Sequence, residues 1–151
     1  MEFFTSFDGR INRKQWWIGI VILFVALIVI GLAVGWLFGD GVIGRFLMLA
    51  ISLGALWPVT ALASRRLHDR GQAMLPKVAF FYGPGAVFSV LNALNIGFRP
   101  MQLPDGTVTM MPRLWVSLIG LLSLGALIWA LVELGFMKGD IADNEYGPPP
   151  A

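Results

Sequence analysis

The stretch that decides the fold is WWIGIVILFVALIVIGLAVGWLF, which runs from Trp16 to Phe38 without a single charged residue. It is longer than the ~18 apolar residues that a helix needs to cross the hydrocarbon core of a bilayer. A secretory signal peptide has a shorter apolar centre, of about 7–15 residues, and a small-residue cleavage site that does not follow here. We therefore expect this stretch to be a retained transmembrane helix.

Three more apolar runs follow, each close to or above the same length: Phe46–Ala63, Val78–Phe98 and Leu114–Met137. Glu133 is the only charged residue in the four runs. Of all residues 57% are hydrophobic and 13% charged, whereas soluble domains carry about 25% charged residues. The sequence predicts an all-α membrane protein, with four transmembrane helices packed as a compact antiparallel bundle in a single domain over residues 1–151.

Basic residues flank the four runs unequally. Segments 1–15, 64–77 and 138–151 hold eight of the eleven Lys and Arg residues, and the intervening segments hold three. Because positive residues are retained in the cytoplasm, we predict that these three segments, and so both termini, are cytoplasmic. On the other side, Pro104-Asp105-Gly106 predicts a turn or a short hairpin.

Three short motifs lie on the predicted cytoplasmic side. FDGRINRKQWW (Phe7–Trp17) precedes the first span, SRRLHDRG (Ser64–Gly71) follows the second, and NEYGP (Asn144–Pro148) is close to the end. In this order around four spans, the motifs resemble domain-of-unknown-function family 805, small proteins of the bacterial inner membrane. The matching residues are Phe7, Gly9, Arg10, Arg13, Trp16, Arg65, Arg66, Leu67, His68, Asp69, Gly71, Gly139, Asn144, Tyr146, Gly147 and Pro148. The resemblance covers nearly the full length and implies location and fold, because the family's activity is not established.

The clustered arginines predict a cytoplasmic surface that binds anionic lipid or a protein partner. Each basic residue near an anionic leaflet contributes about 1 kcal/mol of attraction. The candidate binding residues are Arg10, Arg13, Arg65, Arg66, His68, Asp69 and Arg70. We also predict that the acidic tail, residues 138–151, docks on the Arg65–Arg70 loop through Asn144 and Tyr146. Arginine side chains of the loop would bind the carboxylates or carbonyls of the tail.

A small transporter or channel subunit is the first alternative. The third run contains Tyr82-Gly83-Pro84-Gly85, and Ser89, Asn92 and Asn95 follow it. Broken helices with polar groups line substrate sites in transporters. Hydrogen bonds between neighbouring helices explain the same residues and are the favoured interpretation.

The second alternative is a lipid-modifying enzyme that uses His68 and Asp69. Ser64 and His68 lie four residues apart and would touch on a helix. Asp69 is the next residue and would point away from the imidazole, so it would not orient the ring as a catalytic triad requires. We therefore predict a non-enzymatic protein without a catalytic site.

Composition excludes several kinds of site and partner. The chain has no cysteine and a single histidine, so thiolate chemistry and a multi-histidine metal site within one chain are excluded. We predict no metal and no cofactor. The net charge of +2 is too small to indicate nucleic-acid binding.

Two features inside the runs leave alternatives open. Gly31, Gly35 and Gly39 recur at four-residue intervals, which suits either a homo-oligomer face or close packing within the bundle, and the second is favoured. Glu133 would mark a proton pathway or pair with a basic residue at the cytoplasmic interface. Pairing is favoured because Lys138 is only five residues further on.

Overall fold

The computed structural model describes residues 2–39 and 41–150, and most of them are helical. A short 3-10 helix, Glu2–Phe4, precedes the first long helix. The helices are α1 (Arg13–Phe38), α2 (Val42–His68), α3 (Lys77–Ala93) and α4 (Leu114–Ala130), and a π-helical segment, Leu131–Phe136, continues α4. Each helix packs against the next one along the chain.

Among residues 2–39 and 41–150, three helices are long and apolar enough to cross a membrane. They are α1, α2, and α4 together with its π-helical segment. The prediction of a mainly helical chain with membrane-spanning helices is confirmed to that extent. Helix α3 has 17 residues, or about 25 Å at 1.5 Å per residue, which is less than the ~30 Å thickness of the hydrocarbon core.

The third apolar run does not form the predicted helix throughout. Helix α3 ends at Ala93, and Asn95 and Gly97 in the following turn have φ angles of +54° and +78°. These left-handed conformations stop the helix. The chain is also not purely helical, because strands β1 (Phe98–Gln102) and β2 (Val108–Pro112) form an antiparallel hairpin.

The turn predicted at Pro104-Asp105-Gly106 joins these two strands. The Asp105 carboxylate accepts hydrogen bonds from the backbone N–H of Thr107 at 3.0 Å and from its hydroxyl at 2.7 Å. These hydrogen bonds lower the pKa of Asp105, because they favour the ionised form.

The buried core lies at one end of the helices, where α1 and α3 start and where α2 and α4 end. Its side chains include Trp16, Leu67, Phe81 and Leu134. Most of the remaining helix surface is apolar and exposed, as at Trp36, whose exposed fraction is 86%. A contiguous apolar surface of this kind is typical of a protein whose helices face lipid.

Candidate functional site

The three sequence motifs meet at one end of the helices. We call this region the cap and define it as residues 7–17, 64–77 and 133–148. The backbone already joins its parts, since Ile11 N donates to Arg65 O at 3.3 Å and Asp140 N donates to Asp69 O at 2.7 Å. Asn12 and Gln15 form a capping box that begins α1 in the cap, which satisfies donors at the helix start.

Asp69 is the centre of the cap. Its Oδ1 accepts from Arg10 Nε at 3.2 Å and Arg10 Nη2 at 3.1 Å, and its Oδ2 accepts from Arg66 Nη1. The exposed fractions are 7% for Arg10, 0% for Arg66 and 4% for Asp69. One carboxylate therefore serves two buried guanidinium groups, and the other guanidinium donors need acceptors elsewhere.

Arg10 uses its other donors to hold the tail. Its Nη1 donates to the carbonyl oxygens of Ala142 and Gly147, both at 2.9 Å, and its Nη2 donates to that of Asp140 at 2.6 Å. A planar guanidinium with several fixed donors suits this role better than a lysine ammonium. The tail is therefore bound to Arg10, which lies three residues before the start of α1.

Arg66 holds the end of the last helix. Its Nε donates to Leu134 O at 2.9 Å, and its Nη2 donates to Met137 O. Trp17 Nε1 donates to the neighbouring carbonyl of Gly135 at 3.2 Å. The last carbonyls of a helix have no hydrogen-bond donors within the helix. Here side chains from α1 and α2 donate to them.

Asn144 and Tyr146 both lie against His68. Asn144 Nδ2 donates to His68 O at 2.9 Å, and the Tyr146 and His68 rings stack with centroids 3.8 Å apart and planes 3° from parallel. Desolvation and the adjacent Glu145 carboxylate raise the pKa of Tyr146.

Ser64, His68 and Asp69 do not form a relay. His68 Nε2 lies 3.3 Å from Ser64 Oγ, and His68 Nδ1 lies 3.3 Å from the carbonyl oxygen of Gly9. Both carboxylate oxygens of Asp69 are occupied by arginine instead. The structure thus places the three residues close together without joining Asp69 to the imidazole.

Glu133 forms a second ionic cluster at the edge of the cap. Its Oε1 accepts from Arg70 Nη1 at 2.5 Å and from Lys77 Nζ, and Lys77 Nζ also donates to Gln72 Oε1 at 2.8 Å. As expected from the sequence, Glu133 pairs with basic residues at the helix ends. This pairing occupies Arg70, another of the candidate binding residues.

Burial divides the candidate binding residues into two groups. Arg10, Arg66 and Asp69 are enclosed and bind one another or backbone carbonyls, so their side chains do not reach a headgroup. Arg65 is half-buried, with its guanidinium 5.7 Å from the centre of the Phe3 ring. Arg13 remains exposed.

Two further basic residues of the cap are also exposed, and the sequence already places both in the segments predicted to be cytoplasmic. Lys14 lies beside Arg13 in the first turn of α1, and Lys138 follows the π-helical segment. Arg13 Nη1 donates to Phe136 O at 3.3 Å, which brings the two helix ends together. In the sequence, Lys14 lies just before the first apolar run and Lys138 just after the fourth.

The structure does not bring the three polar residues of the third run together. Ser89 and Asn92 line a cavity between α1, α2 and α3, whereas Asn95 lies in the turn after α3. Sequence reasoning also missed Arg45, which lines the same cavity. In the described part of the chain, no three His, Asp or Glu side chains are grouped to hold a metal ion.

Comparison with known proteins gives relatives but no activity. The chain is 26% identical over 147 residues to the uncharacterized protein YiiR of Escherichia coli K12, which covers 97% of this chain and 86% of that protein. The match to YiiR of Escherichia coli O157:H7 has the same identity and coverage. No solved structure matches the chain significantly. The family described as "Protein of unknown function (DUF805)" matches residues 4–148, which include all three motifs of the cap, and the chain therefore belongs to this family.

Proposed function

We propose that this chain is a non-enzymatic, multi-pass protein of the bacterial inner membrane that binds anionic lipid headgroups at its cytoplasmic surface. The three exposed cations Arg13, Lys14 and Lys138 form the binding surface. All four helices are embedded in the membrane, the termini are cytoplasmic, and the chain is one transmembrane domain.

The observation that carries the proposal is the position of these cations. They lie at the adjoining ends of α1 and the π-helical segment, and none has an acidic partner within residues 2–39 and 41–150. Trp17 and Phe136 lie beside them, with ring centroids 5.8 Å apart. Aromatic rings next to basic residues are typical of the membrane–water interface on the cytoplasmic side.

Lipid fits this surface better than an acidic protein partner. The rest of the cap surface carries exposed acidic side chains, among them Asp140, Asp143 and Glu145. These residues would repel an acidic protein that approached the cap from the cytoplasm. A headgroup reaches the cations from the membrane side, where the apolar helices begin.

The contacts of the tail support an even number of crossings. Arg10 precedes α1, and it binds the carbonyls of Asp140 and Ala142, which follow the last helix. Three crossings would leave these groups on opposite faces of the membrane. A crossing by the short α3 requires a locally thinner bilayer, which costs fractions of a kcal/mol per Å of mismatch.

The test replaces all three cations in the variant Arg13→Gln/Lys14→Gln/Lys138→Gln. At about 1 kcal/mol for each lost cation, the affinity for phosphatidylglycerol should fall on the order of a hundredfold at low salt. Native mass spectrometry of the detergent-purified protein measures the bound lipid. Added salt should weaken wild-type binding, because it screens exposed charges.

The matched control is Arg99→Gln/Arg113→Gln, which removes two exposed cations at the other end of the molecule. This control should keep the bound phosphatidylglycerol. Undiminished lipid binding by the triple variant would contradict the proposed surface.

A transporter or channel subunit remains the second candidate, supported by the cavity that Ser89 and Asn92 line. Solute flux into proteoliposomes distinguishes it, since a lipid-binding protein should give none. Catalysis by His68 has less support because both oxygens of Asp69 bind arginine. Measurable lipid turnover that is lost in His68→Ala would contradict the non-enzymatic proposal.

A further inference from the structure

A cavity of about 460 Å³ lies between α1, α2 and α3, towards the end of these helices that is remote from the cap. Its volume is within the range of about 300–1,000 Å³ that is usual for small-molecule sites. The lining combines polar side chains with apolar ones such as Phe88, and Gly35 forms part of its wall. The polar groups are Arg45, Ser52, Ser89 and Asn92.

Two of these polar groups have unused hydrogen-bond donors. Arg45 Nε is buried without a hydrogen-bond partner, and within the described ranges its guanidinium forms no ion pair. The Asn92 side chain likewise makes no hydrogen bond to any described residue. An unpaired buried donor costs about 1–3 kcal/mol, so an oxyanion in the cavity would stabilise Arg45. Asn92 is exposed, and its side-chain amide is free to donate to the same oxyanion.

The two serines offer the complementary chemistry. Ser52 Oγ donates to Met48 O at 2.7 Å, and Ser89 Oγ donates to Gly85 O at 3.0 Å. Since each hydroxyl proton is already used within its own helix, the oxygen is left to accept hydrogen bonds. The cavity therefore presents donors for an anion together with acceptors for hydroxyl groups.

The start of α2 makes an anion more favourable still. Arg45 is in the first turn of α2, and the N-cap residue Gly41 provides no side-chain capping hydrogen bond. A cation near the positive end of the helix dipole is unfavourably placed, whereas an anion is favoured there. A bound anion would offset both the dipole and the guanidinium charge.

We propose that this cavity binds a phosphoglycerol group, with the phosphate on Arg45 and Asn92 and the glycerol hydroxyls on Ser52 and Ser89. The group would come from a lipid such as phosphatidylglycerol or from soluble glycerol 3-phosphate. The proposal is independent of the lipid surface at the cap, because it concerns different residues at the opposite end of the helices.

The experiment titrates detergent-purified full-length protein with short-chain phosphatidylglycerol and, separately, with glycerol 3-phosphate. The parent protein and all variants in this titration carry Arg13→Gln/Lys14→Gln/Lys138→Gln, so that lipid bound at the cap does not contribute to the measured binding. Arg45→Gln should weaken binding about tenfold or more, the usual effect of losing a charge-assisted hydrogen bond. Arg113→Gln, which changes an exposed arginine outside the cavity, is the matched control and should bind normally.

A second variant blocks the cavity without changing its charge. A side chain added at Gly35 meets no atom within 4 Å of its Cβ, so Gly35→Leu should fill the cavity and abolish binding. Gly54 has similar free space and is not among the lining residues. Gly54→Leu should therefore bind like the parent protein, and thermal unfolding confirms that each variant is folded.

The outcomes are distinct. Binding of phosphatidylglycerol alone supports a lipid headgroup, and binding of both compounds or of glycerol 3-phosphate alone supports a site for the soluble ester. No binding of either compound, or full binding by folded Arg45→Gln and Gly35→Leu, would overturn the proposal. None of these results depends on whether the cap binds lipid.

Discussion

At the scale of the residue, burial rather than charge separates the roles of the arginines. Arg10, Arg65, Arg66 and Arg70 are equivalent in the sequence as basic residues near an apolar run. The sequence therefore predicted the cluster of arginines but not which of them are buried. Arg66 is fully buried, and besides Asp69 it binds the carbonyls of Leu134 and Met137, which are about 70 positions away along the chain.

Asp69→Asn should destabilise the protein strongly. The substitution removes the carboxylate that Arg10 and Arg66 share, and uncompensated buried charge costs about 3–5 kcal/mol. Thermal unfolding in detergent should show a melting temperature many degrees lower than that of the wild type. Asp143→Asn is the control, because Asp143 is exposed and has no ion pair in the described part of the chain. Equal melting temperatures for the two variants would contradict the role assigned to Asp69.

At the scale of the element, apolar runs located the helices but not all of their ends. The second span is predicted as Phe46–Ala63, and helix α2 continues beyond it to His68, where the charged residues after Ala63 find partners in the cap. Helix α3 stops five residues before the predicted end, Phe98. Asn95 and Gly97 take left-handed conformations there, and hydropathy does not report backbone conformation.

Removal of the docked tail should lower the stability of the folded protein. Deletion of residues 140–151 removes all three backbone carbonyls that Arg10 binds, at about 1–3 kcal/mol for each buried donor left unpaired. We expect the melting temperature in detergent to fall by several degrees. Deletion of residues 149–151 leaves these hydrogen bonds intact and should have little effect. An unchanged melting temperature in the longer deletion would show that the tail does not contribute to stability.

At the scale of the whole molecule, polar and apolar contacts are unevenly distributed. The buried ion pairs and the core lie at the cap, while the helices beyond it expose apolar side chains such as Leu32, with an exposed fraction of 71%. Such a surface would be unfavourable in water and is favourable in lipid. The cap therefore holds the helices together at one end, and the cavity at Arg45 lies where they are less tightly packed.

Membrane topology gives the last prediction. Because the cap joins residues before α1 to residues after the last helix, we expect both termini to lie on the same side of the membrane. The excess of basic residues in the cap predicts that this side is the cytoplasm, so the hairpin at Gly106 should lie outside it. Green fluorescent protein fused to either terminus should fluoresce, and alkaline phosphatase inserted after Gly106 should be active. Phosphatase inserted after Gln72, in the cap, is the control and should be inactive. An active phosphatase at the C-terminus together with fluorescence at the N-terminus would mean an odd number of crossings, and Arg10 could not then reach the tail in the membrane.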